Sequence, residues 1–255
     1  MELSITNEHP RDKDIVFDEE PHIYYIKGSN DNISVTTFVH SNLFPHFDAD
    51  EVISKMMKSR NWEKSKYYGK TPDEIKDEWE KNRVESSEAG TEMHKSIELF
   101  YNNEIVNNSS IEYQYFLKFN DDHKDELIPY RTEWIVFDEE TKFAGSIDMI
   151  YKKKNGDDKH LIIYDWKRAK KITDENNFER GYAPVEHLPN SNYWHYSLQL
   201  NIYKKILEKN YGKIIDEMYL LSLHPNNSAY IKIKVPVLKE EVENIFNLRK
   251  VMCQK

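Results

Sequence analysis

Two carboxylates and a lysine lie in two neighbouring apolar segments near the middle of the chain. Asp148 belongs to the first segment, and Asp165 and Lys167 end the second. A turn-forming stretch, Asn155-Gly156-Asp157-Asp158, separates the segments, and this pattern predicts a β-hairpin. Side chains alternate faces along a strand, so Asp165 and Lys167 share one face and Trp166 points to the other. If Asp148 lies on the adjacent strand, both carboxylates and the ammonium group meet.

This combination of groups is suited to metal-assisted hydrolysis. Hard divalent cations bind oxygen ligands, and a neighbouring lysine can orient or help deprotonate a water beside the metal. A surface hairpin with ordinary charges is the alternative, because Asp-x-Lys occurs often by chance.

Two helical segments carry further polar side chains. Apolar residues recur at helical spacing over residues 90–100, so His94 and Glu98, four positions apart, share a helix face. Gln199 and Tyr203 have the same spacing in a later amphipathic segment. A single helical histidine is more often structural than a ligand, and a Gln/Tyr pair alone indicates little.

In their chain order these residues resemble the motifs of the PD-(D/E)XK nuclease superfamily, and specifically of its RecB-like exonuclease branch. The motifs are a helical Gly-x-x-x-His, a strand Glu, Gly-x-x-Asp, Asp/Glu-x-Lys and a helical Gln-x-x-x-Tyr. The matching residues here are Gly90 and His94, Glu133, Gly145 and Asp148, Asp165 and Lys167, and Gln199 and Tyr203. The resemblance covers roughly residues 85–205. Each motif is weak alone, but five in this order are specific.

The resemblance implies a divalent cation, Mg²⁺ or Mn²⁺, held by His94, Asp148, Asp165 and the main-chain carbonyl of Trp166. It implies that Lys167 positions the attacking water and that Glu133 serves as an outer carboxylate or second-metal ligand. A nitrogen ligand suits Mn²⁺ better than Mg²⁺. The alternation of strand side chains favours packing of the Trp166 ring in the core, away from substrate.

The resemblance also implies contacts with nucleic acid. Gln199 and Tyr203 would line the groove and help to hold the DNA strand or Lys167, and Arg168 and Lys170 are further candidates for substrate binding. The net charge of -9 argues against a protein that coats DNA nonspecifically. Residues 151–171, however, contain seven lysines and one arginine against three aspartates, so the edge of the site is basic. The alternative is that the lysines only keep the hairpin tip soluble.

Cysteine content separates this chain from the members of the branch that carry an iron–sulfur cluster. Such a cluster requires several thiolates, and Cys253 is the only cysteine of the sequence. We therefore expect no iron–sulfur cluster and no internal disulfide, which fits a reducing compartment.

We expect an α/β fold with the PD-(D/E)XK restriction-endonuclease-like core, a central mixed sheet flanked by helices. Residues 1–84 would form an N-terminal hairpin and helical elaboration of the same compact domain, and residues 85–255 the nuclease core. The stretch 48–84 is Lys-rich and helical in pattern, and its position suggests an arch over the active site; its aromatic residues either pack or stack on single-stranded bases.

No apolar run reaches the ~20 residues that span a bilayer, and the N-terminus lacks the features of a signal peptide. These features predict a soluble intracellular protein of cytoplasm or nucleus, which is not secreted and has no membrane partner. The abundance of Lys, Asn, Ile and Tyr suggests an AT-rich genome, as some viruses have.

The expected activity is metal-dependent hydrolysis of phosphodiester bonds, by an exonuclease on DNA with a free or single-stranded end, in DNA repair, recombination or replication. Three alternatives stay open. They are an endonuclease using the same site on DNA or, in the manner of cap-snatching, on RNA; a non-catalytic nucleic-acid-binding protein; and a structural partner subunit.

Overall fold

The computed structural model describes residues 2–254. The chain forms two compact units, one made of the residues up to Pro45 together with those from Met93 onward, and the other of His46–Glu92. The predicted division into 1–84 and 85–255 was drawn from the nuclease resemblance and stays a prediction.

The helices, in chain order, are α1 (Leu3–Thr6), α2 (Val35–Phe38), α3 (Ala49–Met57), α4 (Pro72–Tyr101), α5 (Ile111–His123), α6 (Asn192–Asn210) and α7 (Lys239–Cys253). The strands are β1 (Ile15–Asp18), β2 (Ile23–Ile26), β3 (Ile33–Ser34), β4 (Leu127–Asp138), β5 (Phe143–Lys153), β6 (His160–Lys167), β7 (Ile214–Ser222) and β8 (Ile231–Lys234).

Strands β3 to β8 form one mixed sheet. β4 runs antiparallel to β5 along nearly its whole length, β6 pairs antiparallel with β5 and parallel with β7, and β8 closes the far edge. The parallel β6–β7 connection contains α6, as parallel strands require a crossover. The predicted hairpin of Asp148 and Asp165 is thus confirmed, and so is the small N-terminal hairpin of β1 and β2.

Both faces of the sheet are covered, because β6 alternates between two apolar cores. Leu161 and Ile163 belong to a core that also takes side chains from α2, α6 and α7. Ile162, Tyr164 and Trp166 belong to a core shared with α5 and the last turns of α4. A mixed sheet flanked by helices is therefore confirmed.

The edge of β5 that faces away from β4 contains a gap. β3 pairs with this edge at Phe143 and Ala144, and β6 pairs with it only from Met149 to Lys152. Residues 145–148 therefore have no strand partner on that side. Since these residues end in Asp148, the gap lies where the predicted site should be.

The second unit, His46–Glu92, is mostly helical. Its α4 begins with a capping box in which the Thr71 hydroxyl and the Glu74 carboxylate hydrogen-bond each other's main-chain N–H. Ile53 and Ile75 are its buried aliphatic residues, and Phe47 contacts Trp79 ring to ring at 5.8 Å.

Among the residues that the structure describes, no helix combines the length and the apolar character needed to cross a bilayer.

Candidate metal centre

The gap in the sheet holds the carboxylate of Asp148 between two strands. Continuing the β5–β6 register would bring Trp166 opposite Ile147, but the strands have parted there. The Trp166 N–H instead donates to Asp148 Oδ2 over 2.8 Å. The carboxylate thus replaces a main-chain acceptor, and its position is determined by both strands.

His94 reaches this carboxylate from the last turns of α4. Its Nε2 lies 3.0 Å from the main-chain oxygen of Trp166. A carbonyl oxygen can only accept, so Nε2 carries the proton and donates. Nδ1 is then the ligand atom, and it lies 3.6 Å from Asp148 Oδ2 and 3.8 Å from Glu133 Oε1. A main-chain carbonyl that orients a histidine through its second nitrogen is a common feature of metal sites.

Glu133 approaches from β4, directly opposite Asp148. Thr132 pairs with Met149 and Trp134 with Ile147, so Glu133 falls at the register position of Asp148. Its φ of 46° lies in the left-handed region, which costs a non-glycine residue about 1–2 kcal/mol. Backbone strain of this kind concentrates at functional sites. Ser146 further orients the side chain by donating to Glu133 Oε2 over 2.7 Å.

The three side chains offer ligand atoms that could hold a divalent cation. One nitrogen of His94 and one oxygen each from Glu133 and Asp148 all lie within 4.8 Å of one another, the one such group among the described residues. His94 and Glu133 keep 29% and 32% of their side chains exposed, so an ion can reach them from solvent. Two carboxylates and an imidazole form a donor set that fits such an ion.

Asp165 and Lys167 form an ion pair beside this cluster, on the α6 face of the sheet. Asp165 Oδ2 lies 2.7 Å from Lys167 Nζ, although the ammonium is not aligned for a good hydrogen bond to that oxygen. Asp165 Oδ1 accepts from Gln199 Nε2 over 3.3 Å. The centroid of the Tyr196 ring, one turn before Gln199 on α6, lies 4.7 Å from Lys167 Nζ.

The charges of His94, Glu133 and Asp148 influence one another's protonation. Burial opposes the charged form of His94, but the charges of Asp148 and Glu133 outweigh it and raise its pKa to about 9. Burial also raises the pKa of Asp148, although His94 and Lys167 oppose this. At neutral pH the His94 ring is therefore protonated at both nitrogens, and a cation that bound Nδ1 would displace the proton on that nitrogen.

The ion pair is also held in its charged form. Burial and the neighbouring charge of Asp148 raise the pKa of Asp165 to about 6, against the opposing effect of Lys167. Burial lowers the pKa of Lys167, but Asp165 and Asp148 outweigh it, and the result is a pKa above the ordinary value. Lys167 is therefore an ammonium at neutral pH and can donate hydrogen bonds but not accept a proton.

The structure divides the predicted ligands into two groups. His94 and Asp148 lie together with Glu133 in the candidate metal site. Asp165 is occupied by Lys167 and Gln199, with only 3% of its side chain exposed, and the Trp166 carbonyl is occupied by His94. Direct ligation by Asp165 and by that carbonyl stays a prediction.

Trp166 and Tyr203 both lie in the interior. Trp166 packs edge-on against Phe116 and Phe119, so the prediction that its ring faces away from the site is confirmed. Tyr203 is 2% exposed and its ring covers Gly145, where a Cβ atom would lie 2.5 Å from the tyrosine hydroxyl oxygen. In this conformation Tyr203 supports the strand of Asp148 from behind and does not line an open groove.

The two predicted basic substrate residues differ in their surroundings. Lys170 is exposed. Arg168 donates from Nε to Glu112 over 2.6 Å and keeps 19% of its side chain exposed, so part of its charge is already balanced. The basic hairpin tip is balanced in the same way, because its lysines pair with Asp125, Asp158 and Glu217.

Two residues of the site were missing from the sequence prediction. Ser146 lies inside the Gly-x-x-Asp motif, but nothing in the sequence indicates that it donates to Glu133. Tyr196 could have been found, because positions 196, 199 and 203 lie on one face of a helix.

No protein-family model matches the chain, and no curated protein matches it. Among solved structures, the crystal structure of SSO0001 is similar, with a TM-score of 0.34 and 15% identity, over 89% of this chain and 77% of that chain. That TM-score is too low to establish a shared fold.

Proposed function

We propose that this protein is a metal-dependent nuclease of the PD-(D/E)XK type that hydrolyses phosphodiester bonds. The observation that supports this best is the position of the Asp165–Lys167 pair beside the cluster of His94, Glu133 and Asp148, at the gap in the sheet. A cation site next to a partly exposed ammonium group is an arrangement suited to hydrolysis of a charged ester.

The side chains would act as follows. His94, Glu133 and Asp148 would hold Mg²⁺ or Mn²⁺, which when bound lowers the pKa of water and neutralises charge on phosphate oxygens. Lys167, being an ammonium, orients the attacking water and donates to a phosphate oxygen as negative charge develops. Asp165 keeps Lys167 charged and in place, and Gln199 anchors Asp165.

The choice of nucleic acid as substrate rests on the order of the five motifs and on exposed Lys170, which follows Lys167 by three residues. Among nucleic acids we propose DNA with a free or single-stranded end, cleaved exonucleolytically. A cation site that is open to solvent at His94 and Glu133 is compatible with access for a flexible strand end.

The test is digestion of end-labelled single- and double-stranded DNA and RNA in parallel reactions with Mg²⁺, Mn²⁺ or EDTA. Linear and circular single strands of one sequence are compared, because an exonuclease leaves circles intact. We expect metal-dependent loss of linear DNA. Cleaved circles would show an endonuclease, and intact substrates under all conditions would contradict the proposal.

A matched pair of variants separates chemistry from folding. Asp148→Asn and Asp138→Asn each neutralise a buried strand carboxylate, but Asp138 pairs with Lys209 and Thr141, outside the metal cluster. We expect Asp148→Asn to abolish cleavage and to weaken Mn²⁺ binding in calorimetry. Asp138→Asn should retain both in its folded fraction. Equal loss in both variants would mean that the site lies elsewhere.

A further inference from the structure

The connection between α3 and α4 concentrates positive charge in the unit His46–Glu92. Residues 58–70, called here the basic connection, contain five cationic side chains and one carboxylate. The rest of the unit contains eleven carboxylates and four cationic side chains. An ordinary solvated surface would mix the two signs, so this separation requires an explanation.

Three of these cations lack an internal counter-charge. Lys66 and Lys70 both pair with Glu78 on α4. Lys58, Arg60 and Lys64 are exposed, and within residues 2–254 no carboxylate lies close enough to form an ion pair with any of them. Unpaired cations clustered on a short segment attract a polyanion.

Aromatic rings alternate with these cations. Tyr67 is anchored to α4, because Trp79 Nε1 donates to its hydroxyl over 2.8 Å. Trp62 and Tyr68 instead contact each other edge to face, with ring centroids 6.0 Å apart, and Tyr68 is 57% exposed. One aromatic side chain thus fastens the segment, while the other two form a pair that reaches solvent.

The backbone of the basic connection is held in consecutive hydrogen-bonded turns. Trp62 N–H donates to the Ser59 carbonyl, Ser65 N–H to the Trp62 carbonyl, and Tyr68 N–H to the Ser65 carbonyl, each within about 3.0 Å. The Trp62–Tyr68 pair and the exposed cations are therefore presented on an ordered backbone, which reduces the entropy lost on binding.

We infer that the basic connection binds single-stranded nucleic acid, with Lys58, Arg60 and Lys64 on the phosphates and the Trp62–Tyr68 pair stacked on bases. Cationic side chains alternating with accessible rings are suited to a strand whose bases are unpaired, because a duplex hides the base faces. The inference rests on the proposed function for the kind of ligand. It deepens that function by naming a second surface that contacts the substrate and that requires the substrate to be single-stranded.

The test measures binding without cleavage. The full-length protein is titrated in EDTA against a fluorescent thymidine oligonucleotide, an abasic oligonucleotide of equal length, the corresponding duplex, and polyglutamate. We expect the thymidine strand to bind about ten-fold more tightly than the abasic strand for one stacked base. Tyr68→Ala and Trp62→Leu should remove that preference, and Trp62→Phe should retain most of it.

The charge contribution is tested separately. Replacing Lys58, Arg60 and Lys64 together by Ala should reduce the slope of log affinity against log salt by about 2, since each single-strand phosphate contact contributes about 0.7. The control replaces three paired cations of the same unit, Lys55, Lys81 and Arg83, and should leave the slope close to that of the parent protein. Circular dichroism verifies that each variant is folded.

Equal affinity for thymidine and abasic strands, tighter binding of the duplex, or an unchanged slope in the triple variant would each overturn the inference. Binding of polyglutamate but not of thymidine would also overturn it, in favour of an acidic protein partner. Failure of the nuclease proposal gives a different result. A protein that cleaves no substrate with any metal can still bind the thymidine strand in EDTA as expected.

Discussion

The contact between Gly145 and Tyr203 can be tested by adding one methyl group. Gly145→Ala places a Cβ atom 2.5 Å from the Tyr203 hydroxyl oxygen, 2.8 Å from Cε1 and 3.0 Å from Cζ. The first two distances are below any real carbon contact, so the ring or the strand must move. Tyr203 is 2% exposed and has little space into which it can shift.

The size of the effect follows from two opposing contributions. Overpacking of a buried site costs about 1–3 kcal/mol, whereas alanine in a strand is favoured over glycine by roughly 0.5–1 kcal/mol. The net destabilisation should therefore be about 1–2 kcal/mol, equivalent to a decrease in Tm of roughly 3–6 °C for a chain of this size.

The assay is a double-mutant cycle followed by thermal and urea unfolding. Tyr203→Phe removes the nearest of the three atoms, so Gly145→Ala should cost less in that background. Tyr203→Leu removes the distal ring atoms, so there the same substitution should become neutral or stabilising. The coupling energy between the two sites should be about 1–2 kcal/mol.

Two results would refute this reasoning. With Tyr203 present, the Gly145→Ala variant could have a Tm at or above that of the parent protein. Alternatively, Gly145→Ala could change Tm equally with Tyr, Phe or Leu at position 203. In either case the tyrosine ring would not cover Gly145, and its predicted place in an open groove would regain support.

Other predictions concern the site and the interior. Lys167→Ala should remove turnover while calorimetry shows Mn²⁺ binding near that of the parent, because the ammonium is not a ligand; near-normal cleavage would exclude its role. His94→Ala should weaken Mn²⁺ binding and activity, with partial rescue by excess Mn²⁺; full activity in a folded protein would contradict its assignment. Glu133→Gly should relieve the strained φ of 46° and raise stability by about 1 kcal/mol relative to Glu133→Ala, although both variants lose metal affinity. Asp12→Ala should cost about 3 kcal/mol, because it leaves the buried Arg131 guanidinium unpaired. Burial opposes ionisation of Asp12, but hydrogen bonds from Arg131, the His9 N–H and Trp134 hold its pKa below the usual value. This stabilisation is complete above about pH 4 and is lost as pH falls through the folded-state pKa, so acid unfolding curves of parent and Asp12→Asn should converge at low pH.

Local sequence patterns predicted much of the architecture correctly. Alternating apolar residues and a polar turn identified the β5–β6 hairpin, and the same alternation placed the Trp166 ring in the core. Serine is a residue type favoured at helix N-caps, and the Ser34 hydroxyl before α2 accepts from the Thr37 N–H. These features depend on residues that are near one another in the chain, so the sequence contains the information directly.

The composition of the candidate metal site depended on tertiary structure. The alternation of side chains along a strand predicts which face of the sheet a residue occupies, but it does not predict where two strands separate. The gap beside residues 145–148 arises from such a separation. The gap lets Asp148 accept from Trp166 N–H, and the Trp166 carbonyl then turns His94 Nδ1 toward the carboxylates. None of these contacts has a signature in local periodicity.

The different surroundings of two acidic residues have the same origin. Asp165 and Glu133 both carry a carboxylate that can bind a cation, and the motif order alone favoured Asp165 as the direct ligand. In the fold Asp165 faces α6, where Gln199 and Lys167 occupy its oxygens, whereas Glu133 takes a left-handed backbone conformation opposite Asp148. The sequence by itself determined which residues are available for chemistry, and long-range packing of strands and helices decided which of them meet, because those contacts join residues that are far apart in the chain.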